Sequence, residues 1–163
     1  MTLSTAAAIR ERIVTLVEAI TPTVLASDPF LRHRDEGPFF EWVAANPAGS
    51  LRRFQVRAAT GRDEVIMSTG AYESLRRDFV VSVAYPLDNR ARASYEGGAL
   101  ASVDDLIESD MKQLEQTIGQ FGNSIGNYQD IATVAATRED YDPDGAPVRI
   151  ARKVLTIEFT RSM

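Results

Sequence analysis

The stretch from Asp78 to Gly119 constrains the fold more than any other part of the chain. It opens with DFVVSVAYP, in which Phe79, Val81, Val83 and Tyr85 alternate and so share one face of a strand. Pro86 lacks the N–H that a central ladder needs and ends that strand. The stretch closes with SVDDLIESDMKQLEQTIG, where Val103, Ile107, Met111, Leu114 and Ile118 line one side of a helix. Ser102 and Asp105 approximate a capping box, and Asp104, Asp105 and Glu108 lie at the helix's positive end. Gly119 or Gly122 closes it. A strand and a helix with one apolar face each must find cover, which directs the chain toward a sheet with helices laid on it. Between the two lies Leu87–Ala101, a polar stretch with no catalytic signature, read as a long loop.

Residues 4–20 read as a second amphipathic helix, with Ile9, Ile13, Leu16, Val17 and Ile20 in one stripe. Ser4 or Thr5 can cap it, and Thr21–Pro22 stops it. Residues 21–50 read as an irregular Pro- and aromatic-rich segment, with a short helix fitting Glu41–Ala45. A strand follows over 51–59, with Phe54, Val56 and Ala58 inward and Arg53, Gln55 and Arg57 outward. Val65–Ser68 is a short apolar piece, and Thr69–Arg76 reads as irregular or a turn. The chain closes on a hairpin over 131–160: a strand Ile131–Thr137, a turn at Asp142-Pro143-Asp144-Gly145 and a long strand Val148–Thr160. In that last strand the apolar face switches from Val148 and Ile150 to Leu155, Ile157 and Phe159, which predicts a bulge or a sheet edge near Arg152. The expected fold is α+β: a single domain over 1–163, with one mixed or antiparallel twisted sheet of four or five strands and two main helices packed on one face.

Composition removes several function classes. The net charge of −5 argues against a duplex nucleic-acid binder, which would carry a basic face. The chain has no cysteine, so disulfides, thiolate catalysis and thiolate metal sites are all excluded. No apolar run approaches the roughly 18 residues of a membrane span. The N-terminal stretch, with Arg and Glu spaced through it, does not read as a signal peptide, so the expected place of synthesis is the cytosol. Of the 18 basic residues only Lys112 and Lys153 are lysines. Arginine is favoured at interfaces because its flat fork makes paired hydrogen bonds and stacks on aromatics, although high-GC codon usage produces the same bias.

No constellation states a reaction. His33, the single histidine, sits in HRDEGP between Arg32 and Arg34 and reads as an exposed loop residue; no G-x-S-x-G elbow accompanies it. HRD stands without a glycine-rich loop, V-A-I-K or DFG. Asp140, Asp142 and Asp144 alternate like the start of a calcium loop, but Pro143 interrupts them and Ala151 holds the twelfth place where a Glu belongs. The glycines Gly97-Gly98 and Gly119, Gly122 and Gly126 do not form a phosphate cradle. No catalytic residue, metal or cofactor is expected. The cluster Phe39, Phe40 and Trp42 reads either as a satellite core on one sheet face or as a docking surface for a neighbouring subunit.

In its order of elements the chain resembles the tail terminator, or tail completion, proteins of long-tailed bacteriophages. The resemblance rests on the helix IRERIVTLVEAI leading into a Pro-rich segment, the strand RRFQVRA, the strand RRDFVVSVAYP with its Tyr-Pro exit, the helix LIESDMKQLEQTI and the closing hairpin. It implies a structural virion protein, made in the bacterial host cytoplasm, that forms a hexameric ring closing the tail tube. Its partners would then be further copies of itself, the tail tube protein and a neck or connector protein, with DNA only passing through the lumen and no membrane involved. The same architecture suits a head–tail connector or stopper of the neck. Under this resemblance Leu87–Ala101 is the first candidate for a subunit or lumen contact, with Arg90, Arg92 and Tyr95 joining Phe39, Phe40 and Trp42 as candidate interface residues. A small α+β enzyme and a monomeric ligand-binding module are the readings from other classes.

Overall fold

The computed structural model describes residues 6–33, 39, 51–59, 64–97, 102–120, 137–141 and 147–162. In order these give α1 (Ala6–Glu18), β1 (Phe30–Arg32), β2 (Arg52–Ala58), β3 (Glu64–Ser68), β4 (Tyr72–Pro86), α2 (Asn89–Gly97), α3 (Val103–Gln120), β5 (Thr137–Tyr141) and β6 (Val148–Ser162). The strands form one mixed sheet in the order β1-β2-β4-β6-β5, with β3 also beside β4. Among the described strands only the β1–β2 pair is parallel. The fold is α+β, as the alternation and helix patterns predict.

The spine of the sheet is the antiparallel pair of β4 and β6, continuous from Tyr72↔Ser162 to Pro86↔Val148. On one face β4 presents Leu75, Phe79, Val81, Val83 and Tyr85, and β6 presents Ala151, Leu155, Ile157 and Phe159, all buried. The helices cover this face. Ile9, Ile13, Val14, Leu16 and Val17 of α1 and Val103, Leu106, Ile107, Met111, Leu114 and Ile118 of α3 complete a single core with them. Each Val, Leu, Ile, Phe or Met among them, fully removed from water, contributes about 1.5–3 kcal/mol against the entropy of ordering the chain.

Four expectations are corrected. Thr69–Arg76 is not wholly irregular, because β4 begins at Tyr72 and pairs with β3 and β6 together. No bulge falls at Arg152, where β6 pairs with both β4 and β5 in unbroken register; Thr137↔Arg152 is the last described pair of β5 with β6. The apolar face switches because both sheet faces are covered at that end: Val148, Ile150 and Ala84 pack under Phe39 on the side away from the helices. Arg53 does point to that second face, but its register partners Leu31 and Ala84 place it by the covered end, and it is 1% exposed. Finally, Leu87–Ala101 is not one loop, because α2 occupies most of it. Residues 131–136 and the turn 142–146 lie outside the described residues; the flanking strands pair antiparallel from Tyr141↔Val148.

Both C-terminal helices carry sequence-coded starts. The Ser102 N–H donates to Asp105 Oδ2 at 3.1 Å, the reciprocal half of the expected capping box. The Ala91 N–H donates to Asp88 Oδ1 at 2.7 Å, so Asp88 is the N-cap of α2. Asp88→Ala should therefore cost about 1 kcal/mol, read as a lower denaturant midpoint at unchanged slope.

Candidate functional site

The polar centre of the molecule is built on β2, where Arg52 has the same inward parity as Phe54 and Val56. A charge at that position must be matched inside the core, and α3 supplies the match. Asp110 lies on the helix stripe between Leu106, Ile107 and Leu114, so the helix that covers the sheet delivers a carboxylate to the guanidinium. Both side chains are 0% exposed. Arg52 Nε donates to Asp110 Oδ2 at 2.6 Å and Nη2 to Oδ1 at 3.1 Å, a two-pronged pair. The Tyr85 hydroxyl, from β4, donates to the same Oδ2 at 3.0 Å.

The remaining Arg52 donors reach outward along the chain. Nη1 donates to the carbonyls of Leu25 and Asp28 at 3.0 and 2.8 Å, and Nη2 to that of Val24. All five guanidinium N–H groups are thereby used. The Arg52 Cζ also lies 5.7 Å from the centre of the Phe30 ring, which stacks edge-on with Phe54. Leu25 sits at φ 50°, a left-handed conformation costly for a branched side chain, and its carbonyl is one that Arg52 holds. Gln113 secures the same segment one turn earlier: its Oε1 accepts from the Thr23 N–H and hydroxyl, and its Nε2 donates to the Thr21 carbonyl. One strand and one helix thus fix residues 21–28.

Burial pushes the Asp110 carboxyl up from its ordinary value, opposed by the hydrogen bonds and charge of Arg52 and by the Tyr85 hydroxyl. Burial first, and the Asp110 charge second, push the Tyr85 phenol well above its ordinary value. With each Arg52 N–H engaged and both charges sealed from solvent, the cluster offers no donor to a substrate. Its chemistry is that of a structural bracket. Lesser brackets tie β6 to α3 near the surface: Lys153 to Glu115 at 2.8 Å and Arg149 to Asp104 at 3.1 Å.

The candidate interface residues are dispersed. Phe39 is buried against Ala84, Val148 and Ile150, and its ring meets that of His33 at 5.7 Å. Tyr95 is buried too, its hydroxyl donating to the Pro86 carbonyl at 2.7 Å, so it anchors α2 to the end of β4. Both side chains are thus occupied within the subunit. Arg92 is exposed on α2, with its Nε on the Leu87 carbonyl at 3.0 Å. Arg90 belongs to the same helix, but its side chain, like Phe40 and Trp42 as a whole, lies outside the described residues. His33 is corrected: it is 4% exposed, held at the end of β1 by its N–H on the Phe54 carbonyl, and not a solvated loop residue.

Among the described residues no group of three His, Cys, Asp or Glu side chains is placed to hold a metal ion, and no helix is long and apolar enough to cross a membrane. Compared with models of known families and with curated proteins, the chain matches none.

Sequence reasoning missed the Arg52–Asp110–Tyr85 bracket, although its signal was present. Arg52 breaks an inward-facing run, and Asp110 breaks an apolar helix stripe. Two opposite charges at core positions of elements that must pack together announce each other.

Proposed function

We propose that the chain is a structural subunit of a phage or phage-like tail, forming a ring that terminates the tail tube and joins it to the head or neck. The observation that carries this reading is the use of polar groups in the core. The buried ionic cluster, Arg52 with Asp110 and Tyr85, uses its hydrogen-bonding groups in bracing the subunit, which supports the reading as an assembly part. The α+β architecture is the class of fold that the resemblance to tail terminators implies. A head–tail connector or stopper of the neck is the neighbouring form of the same proposal.

In this reading the exposed α2 surface carrying Arg92 faces a neighbouring subunit or the lumen. The test is incubation of the purified chain with tail tubes lacking their terminal ring, followed by negative-stain microscopy. The expected result is a capped tube end bearing a ring. Tubes left bare across a wide protein concentration range would remove the proposal.

A further inference from the structure

We propose that the edge of the sheet formed by β1, β2 and β3 is a two-fold contact with a second copy of this chain, in which β1 of each copy adds beside β3 of the other. The geometry starts from β4. One side of β4 is taken along its whole length by β6. Its other side is shared by β2, over Phe79–Ala84, and by β3, over Glu73–Arg76. β2 and β3 therefore lie end to end in one row. β1 stands one strand further out, but only beside Arg52–Phe54. Among the described residues the edge is a step, proud at β1 and recessed at β3, with the two centred about nine residues apart along β4, about 30 Å.

A two-fold axis perpendicular to the sheet turns this step onto itself. β1 of one copy then enters the recess beside β3 of the other, and the reverse happens at the other end. Both junctions are antiparallel, and the same face of the sheet continues across them.

The apolar surface follows the step. Among the described residues the exposed large hydrophobics are Leu31 at 42%, Val65 at 53%, Ile66 at 43% and Met67 at 62%. All four lie on the two strands that this contact joins. Leu31 and Met67 point to the same sheet face, through the rows of Ala84 and Ser74. All five residues of β3 are exposed, and the strand carries neither lysine nor proline, the residues that usually blunt an edge; its devices of that kind are the charge of Glu64 at one end and the irregularity between Val65 and Met67. The direction follows from the symmetry alone: β1 and β3 both run antiparallel to β4, so a two-fold axis perpendicular to the sheet sets each β1 antiparallel to the β3 it meets.

This contact does not rest on the tail reading, because a two-fold contact does not by itself close a ring; it gives a dimer or joins two rings. The test is sedimentation equilibrium on the wild type, on Ile66→Lys and on Leu31→Lys, with circular dichroism to verify folding and Met67→Glu as a second variant of β3. The wild type should associate. Each substitution should weaken association at least about tenfold, the scale of a lost buried apolar contact. An equimolar mixture of Ile66→Lys and Leu31→Lys should associate more tightly than either alone, because it restores one intact junction. A wild type that stays monomeric overturns the contact, as does a sensitivity confined to Ile66 and Met67, which would pair β3 with β3. A ring whose mass neither substitution changes overturns the contact and leaves the tail reading standing.

Discussion

Asp110→Ala should be the most destabilising single substitution that leaves every apolar side chain in place. It removes the acceptor of two Arg52 N–H groups and of the Tyr85 hydroxyl at one stroke. The guanidinium remains 0% exposed with its charge uncompensated. Breaking a buried pair from one side costs about 3–5 kcal/mol. At roughly 2–4 °C per kcal/mol for a chain of this size, the thermal midpoint should fall by about 6–20 °C. The double substitution Arg52→Met with Asp110→Leu removes both charges together and should recover most of that loss. The recovery should be incomplete, because Arg52 also holds the carbonyls of Val24, Leu25 and Asp28, which an apolar side chain cannot. Denaturant unfolding of the two singles and the double gives the coupling directly. A loss under about 1 kcal/mol for Asp110→Ala would show that the pair is not sealed as described.

The parts of the fold legible in the sequence were those where one physical signal acted alone. The alternation Phe79, Val81, Val83, Tyr85 and the stripe Val103, Ile107, Met111, Leu114, Ile118 each had one face to bury, and both lie in the core as expected. Signals that overlapped were misread. The change of apolar parity along β6 looked like a bulge, but it records cover on a second face by Phe39, a residue distant in sequence. The first turn of α2 contains Asn, Arg, Ala and Arg and no apolar stripe, so periodicity gave no reason to expect a helix. What starts it is one side chain, Asp88, and what seats it is the buried pair Ala91 and Tyr95, four residues apart. The inward Arg52 is a different case: its charge marks a break in the inward run of β2, but nothing local in the sequence names its partner. The partner lies 58 residues away on a different element. The exposed apolar run Val65, Ile66, Met67 was visible as a short strand, but only the sheet order shows that its outer side lies on the stepped edge.

Alkaline pH should unfold this protein sharply, with its buried phenols setting the threshold. Tyr85 is 0% exposed and Tyr95 2%. Burial pushes both phenols above their ordinary value, and Asp110 beside Tyr85 and Asp88 near Tyr95 push in the same direction. In the unfolded chain each phenol loses its proton near pH 10, while in the folded chain it keeps it. Above about pH 10 the unfolded state therefore binds fewer protons than the folded state, and stability falls as pH rises. Below about pH 10 both states are protonated, and the full contribution is present. Each phenol removes up to about 1.4 kcal/mol per pH unit, so the two together remove nearly 3. From about pH 10 to about pH 12 that sum approaches 5 kcal/mol, a large part of a typical domain's stability. Tyr95→Phe should roughly halve the slope at the cost of the hydrogen bond to the Pro86 carbonyl, about 1 kcal/mol at neutral pH. Ultraviolet absorbance titration followed beside near-UV circular dichroism checks this. Phenolate absorbance from these two residues should appear only as the tertiary signal collapses. Ionisation of both near pH 10 with the tertiary signal intact would mean that neither phenol is buried.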